Sequence, residues 1–296
     1  LRLDFLLEID FMTRIAWITE PQFSPAYALA AAASGRQLVS ERLRVAAADA
    51  CRILGNGLED FRERLWRALA RSAVAAASSP SNAACSAMDF DWPRLLDTTP
   101  QAETSPAAWL ELSANFSHEF AACVPRLASE LPLRTRPFLE LWDARGPGLL
   151  RQLFSRRDSS PRDASGNRCL IAWVYPATGG GGWSDLGGQV VLFEAVLTNA
   201  FEPLSELLRL AWHVALATLP VAETIRMDSS VAEIADRFGI PRSDAAAAAW
   251  IPSVLAAGEH VELAVADERH TSLALQAWMG LEPMRATELA RMLPSP

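Results

Sequence analysis

The sequence predicts a helix-dominated α+β protein with a small, mostly antiparallel sheet packed by helices. Three observations lead there. Two strongly apolar runs, Cys169–Pro176 (CLIAWVYP) and Gln189–Asn199 (QVVLFEAVLTN), flank a glycine-rich stretch, Thr178–Gly188 (TGGGGWSDLGG). Most remaining apolar residues recur at helical rather than alternating spacing. Of 296 residues, 50% are hydrophobic and 21% charged, which supports a sizeable core and argues against wholesale disorder.

Met12 opens a strand-like run and reads as a translation start, which makes residues 1–11 a non-native extension; Thr13–Ile18 is expected to join the sheet. Arg36–Leu54 places Val39, Leu43, Ala46, Ala47, Ala50 and Leu54 on one helical face. Gly55-Asn56-Gly57 breaks that pattern, because glycine and asparagine tolerate the backbone that ends a helix. A second helix then runs from Leu58 to Ala76, and the pair is expected to form an antiparallel hairpin. These elements make an N-terminal unit over 1–77. Residues 78–104, rich in Ser, Ala, Pro, Thr and Asn, read as a flexible linker, and 105–296 as an α+β domain.

In that domain Ser105-Pro106 supplies a cap and a first-turn proline for a helix that weakens at Pro125. Thr135-Arg136-Pro137 looks like a fresh helix start. Arg145-Gly146-Pro147-Gly148 interrupts it, and Leu149–Phe154 continues as a short helix. The sheet strands follow as Cys169–Tyr175 and Gln189–Thr198. Glu202–Leu219 reads as a helix with Leu204, Leu207, Leu208, Ala211 and Ala215 inward. That leaves Glu202, Glu206, Arg209 and His213 as a solvated face. Within His260–Ala266 (HVELAVA) the alternation suggests a last strand, Val261–Ala266.

Composition removes several function classes. The formal charge of −8 gives no general attraction to phosphate backbones or anionic lipid, so nucleic-acid and membrane partners are not expected. There is no lysine, and all 27 basic residues are arginine. Walker-A phosphate loops, protein kinases and pyridoxal enzymes, which need a lysine, are excluded. With the abundant alanine, the pattern reads as codon bias in a GC-rich bacterial genome. The four cysteines are scattered and form no C-x-x-C pair, as expected of thiols in a reducing cytoplasm. No apolar run reaches membrane-spanning length, and acidic residues interrupt LRLDFLLEIDF where a signal peptide would stay apolar. His118-Glu119 begins like a zincin helix, but Ala122 replaces the second histidine, so no metal or other cofactor is expected.

Glu194 is the chief candidate site residue. Alternation places Val190, Leu192, Glu194, Val196 and Thr198 on one strand face, and both faces are apolar, so the strand is internal. A carboxylate there is either a general acid or base with a raised pKa or one half of a structural pair with an arginine such as Arg145 or Arg209. In the glycine-rich loop, Gly180 and Gly181 offer backbone N–H groups to an anion, Trp183 could cover a ligand, and Ser184 and Asp185 are polar. The spacing fails G-x-G-x-x-G at Asp185 and G-x-S-x-G at Leu186, so a hairpin connection competes with a binding loop. Arg145 and Gly146 form either an anion-holding turn or a helix break. Val231–Trp250 has Ala235 and Gly239 at helix-turn-helix spacing, but its would-be recognition helix, Ala245–Ala249, has almost nothing to contact a base.

The phrases RTRPFLELWDARGPGLL (Arg134–Leu150) and FEAVLTNAFEPLSELLRLAW (Phe193–Trp212) resemble a family of proteins from GC-rich bacteria to which no activity is assigned. The resemblance implies that these segments share one folded unit and carries no catalytic residues with it. The leading expectation is a non-catalytic cytoplasmic module that binds a protein or small ligand. The alternatives are a hydrolase or other acid–base enzyme centred on Glu194, with Ser184 and His213 as helpers, and DNA binding through 231–250.

Overall fold

Three strands running the same way carry the centre of the molecule. The computed structural model describes residues 14–78, 106–155, 168–196, 204–218 and 229–293. Strands β1 (Arg14–Ile18), β2 (Arg168–Val174) and β4 (Val190–Glu194) are parallel, and β3 (Gly182–Asp185) pairs antiparallel with β4, in the order β1-β2-β4-β3. Ile15 sits opposite Cys169, Val174 opposite Glu194, and Gly182 opposite Phe193. Residues 169–174 and 190–194 are buried throughout, as strands covered on both faces must be.

The small sheet is therefore present, but it is mostly parallel rather than mostly antiparallel. The glycine-rich stretch does not join two antiparallel strands directly. It contains the four-residue β3, which forms the hairpin with β4 and leaves β2 and β4 pointing the same way. β4 also ends at Glu194 instead of reaching Thr198, because the Val196 N–H turns back to the Glu194 carbonyl at 2.9 Å. Thr198 itself lies outside the described residues, as does Thr13. Val261–Ala266 is no strand. The Val261 and Leu263 N–H groups both return to the Gly258 carbonyl (3.1 and 2.9 Å), and Glu262 takes a φ of 57°, so the segment is a series of turns.

Helices α1 (Phe23–Ala33), α2 (Glu41–Leu54) and α3 (Leu58–Ser78) follow β1. The break at Gly55–Gly57 is a single 3-10 turn, and the Ser40 hydroxyl caps α2 by accepting from the Leu43 N–H. α2 packs chiefly on α4 (Pro106–Cys123), and α3 on α1 and the sheet, more than the two pack on each other. Sequence periodicity did not single out α1, because it is buried on nearly every side. Apart from Ser78, the linker proposed over 78–104 lies outside the described residues.

Helix α5 (Leu127–Ser155) absorbs both expected interruptions in one run of 29 residues, with Pro132, Pro137 and Pro147 inside it. Its apolar stripe of Leu131, Phe138, Trp142, Leu149 and Leu153 is buried, and that tertiary packing outweighs the lost backbone bonds. Helix α6 (Glu206–Thr218) is buried from Glu206 to Ala217, so Glu206, Arg209 and His213 face the interior and not solvent. Helices α7 (Ser229–Phe238), α8 (Arg242–Ala249), α9 (Ile251–Glu259), α10 (Glu268–Met279) and α11 (Pro283–Met292) complete the order. Ala245–Ala249 of α8 are all buried, which leaves the would-be recognition helix no alanine face to offer a DNA groove.

Candidate functional site

Because β3 lies on the far side of β4, the chain leaving β2 must cross the C-terminal end of β4 before turning back. Residues 175–181 make that crossing. Their N–H groups have no ladder to join, and Glu194, the last residue of β4, supplies the acceptor. Its Oε1 accepts from the Thr178 N–H (2.8 Å) and the Thr178 hydroxyl (2.9 Å), and its Oε2 accepts from the Gly180 N–H (2.7 Å). The Glu194 N–H donates in turn to the Gly181 carbonyl at 3.0 Å. Glu194 is 0% exposed. Burial pushes its carboxyl above the ordinary value, and the Thr178 and Gly180 donors, then Arg209, act against that shift.

Arg209 of α6 lies beside this clasp. It forms an ion pair with Glu206, and its guanidinium carbon stands 5.3 Å from the Phe193 ring centroid. A Cβ on Gly180 would come within 3.0 Å of Arg209 Nη1, and Gly180 holds a φ of 132°, so this position requires glycine on two counts. The pair expected between Glu194 and an arginine is thus an electrostatic neighbourhood with Arg209, while the hydrogen bonds come from the loop. Arg145 lies elsewhere: it is exposed and donates to the Val261 carbonyl at 3.1 Å.

His213, one turn beyond Arg209, is 4% exposed. Burial holds its pKa well below the ordinary histidine value, with Arg209 and Arg36 adding to the effect, so the ring is neutral. Its Nδ1 lies 2.6 Å from the Ser184 hydroxyl, which also donates to the His213 carbonyl at 3.2 Å. Both contacts are satisfied when Nδ1 carries its proton and donates to Oγ while Oγ donates to the carbonyl. That arrangement ties the edge strand β3 to α6. In that tautomer Nδ1 is the donor and does not accept the serine proton.

The other sequence candidates have structural neighbours. Trp183 belongs to β3 and stacks on Trp66 of α3 at 5.1 Å with the rings 3° apart, so it packs against the fold instead of standing free as a loop aromatic. Asp185 begins the turn into β4, where burial raises its pKa against the pull of Arg67. The Gly187 and Gln189 N–H groups of that turn donate to the Leu216 and Ala217 carbonyls (3.1 and 3.0 Å), capping the last turn of α6. Gly146 is buried against the Trp142 indole inside α5, and is neither a helix break nor an anion turn.

Three residues of the cluster went unforeseen. Thr178 is one, though it opens the glycine-rich stretch. Tyr27 of α1 and Arg36 of the α1–α2 connection are the others, and they meet the loop at Gly181. Nothing in the local sequence around positions 27 and 36 signals this meeting. Among the described residues no group of three or more His, Cys, Asp or Glu side chains could hold a metal ion, and no helix is long and apolar enough to cross a membrane. No protein-family model, curated protein or solved structure matches this chain.

Proposed function

We propose that this chain is a non-catalytic binding protein of the bacterial cytoplasm, with its small-ligand contacts at the rim of the crossing loop. One observation carries the reading. Glu194 has no exposed surface, and three donors of its own loop occupy both its oxygens, so no substrate atom can replace them without unfolding the crossing. The loop lies beyond the C-terminal ends of the parallel strands, where ligands collect in open α/β sheets. Its surface is Gly179, exposed, with Val39 66% exposed beside it. The free thiols of Cys51, Cys123 and Cys169 accord with a reducing compartment.

The 2.6 Å contact between Ser184 and His213 favours a second reading, a serine-centred hydrolase. The two are separated by assaying the full chain against nitrophenyl esters, nitrophenyl phosphates and a mixed peptide library. The binding reading expects no turnover above the uncatalysed rate. Turnover that Ser184→Ala abolishes while the melting temperature stays unchanged would replace it with the enzyme.

A further inference from the structure

Around Gly181 the fold gathers more hydrogen-bond donors than it has acceptors for. Tyr27 is 0% exposed, and its hydroxyl meets only Arg36 Nη1, at 3.5 Å, the outer limit of a hydrogen bond. In that contact the arginine is the donor, so the phenolic proton has no acceptor among the described residues. Arg36, half-buried, has no acidic partner there either. Arg209 is 4% exposed, and its Nε–H is buried without a partner. Arg209 closes on Gly180 and Arg36 on Gly181, so the two guanidiniums flank neighbouring residues of the loop.

Unused donors buried together are costly unless something accepts from them. Arg36 and Tyr27 meet at Gly181, where a Cβ would lie 2.9 Å from Arg36 Nη1, 2.9 Å from Thr178 Oγ1 and 3.1 Å from the Tyr27 hydroxyl, so only glycine fits between them and anything that enters must displace Arg36. Glu194 cannot serve as the acceptor, because the loop takes both of its oxygens.

We infer that Arg36 and the Tyr27 hydroxyl form a binding site for a small monocarboxylate, seated against Gly181. This rests on the binding reading given above and names its ligand. Charge selects the class. Arg209 is paired with Glu206 and lies beside Glu194, whereas Arg36 answers to neither, so one unpaired cation borders the site. One negative charge matches it. A phosphate dianion would add a second charge close to a buried carboxylate. The guanidinium fork takes both carboxylate oxygens side by side, and the phenol donates to one of them. Arg36, the half-buried member, is the group that moves: a carboxylate between guanidinium and hydroxyl replaces one long contact with charge-assisted bonds.

The test is saturation-transfer NMR on the methyl signal of acetate with the full chain, at fixed ionic strength, with inorganic phosphate and chloride as competitors. Saturable acetate binding is expected, with phosphate displacing acetate no better than chloride does. Arg36→Gln and Tyr27→Phe should each weaken binding by about tenfold or more, the loss expected for a hydrogen bond to a charged group. Both variants should keep the wild-type melting temperature. The proposal is overturned if acetate does not saturate, if either variant binds as the wild type does, or if phosphate displaces acetate better than chloride. Any of these results with no hydrolysis in the ester and phosphate assays removes the carboxylate and leaves the non-catalytic reading standing. Ser184-dependent turnover removes that reading whatever acetate does.

Discussion

Replacing Glu194 with glutamine keeps the shape of the side chain and takes one acceptor from the clasp. An amide has a single acceptor oxygen, and its NH2 can only donate. With the oxygen toward Thr178, two donors are kept, and the NH2 confronts the Gly180 N–H that Oε2 now accepts at 2.7 Å. An orphaned, buried N–H costs about 2 kcal/mol, and the two surviving bonds lose their charge assistance at about 1 kcal/mol each. Relief of the buried charge, whose direction is that of the raised Glu194 pKa, offsets part of this loss. The net expectation is a destabilisation of about 1–3 kcal/mol at pH 7. Urea unfolding followed by tryptophan fluorescence measures it, and an unchanged slope with denaturant shows that the unfolded state is the same. Thr178→Val removes the hydroxyl donor alone, so the double variant should lose less than the two single losses added, with a coupling of at least about 0.5 kcal/mol. A Glu194→Gln protein within about 0.5 kcal/mol of wild type, or strict additivity with Thr178→Val, would refute the clasp.

Gly146→Ala should destabilise the protein even though alanine favours a helix by about 1 kcal/mol. The added Cβ would lie 2.5 Å from the indole of Trp142, itself 4% exposed and edge-on to Trp17, and overpacking of this kind costs about 1–3 kcal/mol. A melting temperature at or above wild type would show that Trp142 has room to move. His213 has a folded pKa well below 6.5, so below about pH 6.5 the unfolded chain binds a proton that the native one cannot. Its effect on stability is nil above that pH and grows by up to about 1.4 kcal/mol per unit as pH falls, a slope that His213→Gln should remove from urea midpoints between pH 7 and pH 5. Cys169 has the opposite window. Burial raises its thiol from 9.0 to about 12, so the stability it contributes is complete below pH 9 and declines as pH rises from 9 toward 12. Cys169→Ala should flatten that alkaline decline, and an unchanged decline would assign it to other groups.

The parts of the fold legible in the sequence were those whose burial is uniform. Cys169–Tyr175 and Gln189–Thr198 read as strands because they are so strongly apolar, and the structure buries residues 169–174 and 190–194 throughout. Their relative direction was not legible. It is set by β3, whose Gly-Trp-Ser-Asp has no alternation of its own and lies hidden in a glycine-rich stretch. The stripe of Glu206, Arg209 and His213 misled for a related reason. Spacing of three and four puts side chains on one helix face, but it cannot say whether that face meets water or other buried polar groups. The prolines of α5 misled because propensity is local, while Leu131, Phe138, Trp142 and Leu149 are held by contacts from distant segments. Glu194 was legible as a buried charge needing partners. Its donors proved to be backbone and hydroxyl groups 16 and 14 residues earlier, and Tyr27 and Arg36 come from more than a hundred residues away, beyond any local pattern.

The topology explains why an acid is needed at the end of β4. In a simple hairpin the turn's N–H groups find carbonyls across the ladder. Here the connection passes over a strand end, and Thr178 and Gly180 point their donors down onto β4. A strand end offers one side chain there, and a carboxylate is the only ordinary side chain that accepts from three donors and offers none. An apolar residue would orphan all three, and an amide would set donor against donor. The crossing is therefore pinned from beneath by Glu194 and held from the sides by the guanidiniums of Arg36 and Arg209, with glycine where each closes in. A loop fixed in this way loses little conformational freedom when a ligand arrives, so the rim gains affinity from preorganisation. Loosening the clasp should then weaken ligand binding at Arg36 even though Glu194 never touches the ligand. Glu194→Gln is expected to lower acetate affinity by a few-fold at temperatures where the fold remains intact. Undiminished affinity in that variant would show that the loop is held by something other than this carboxylate.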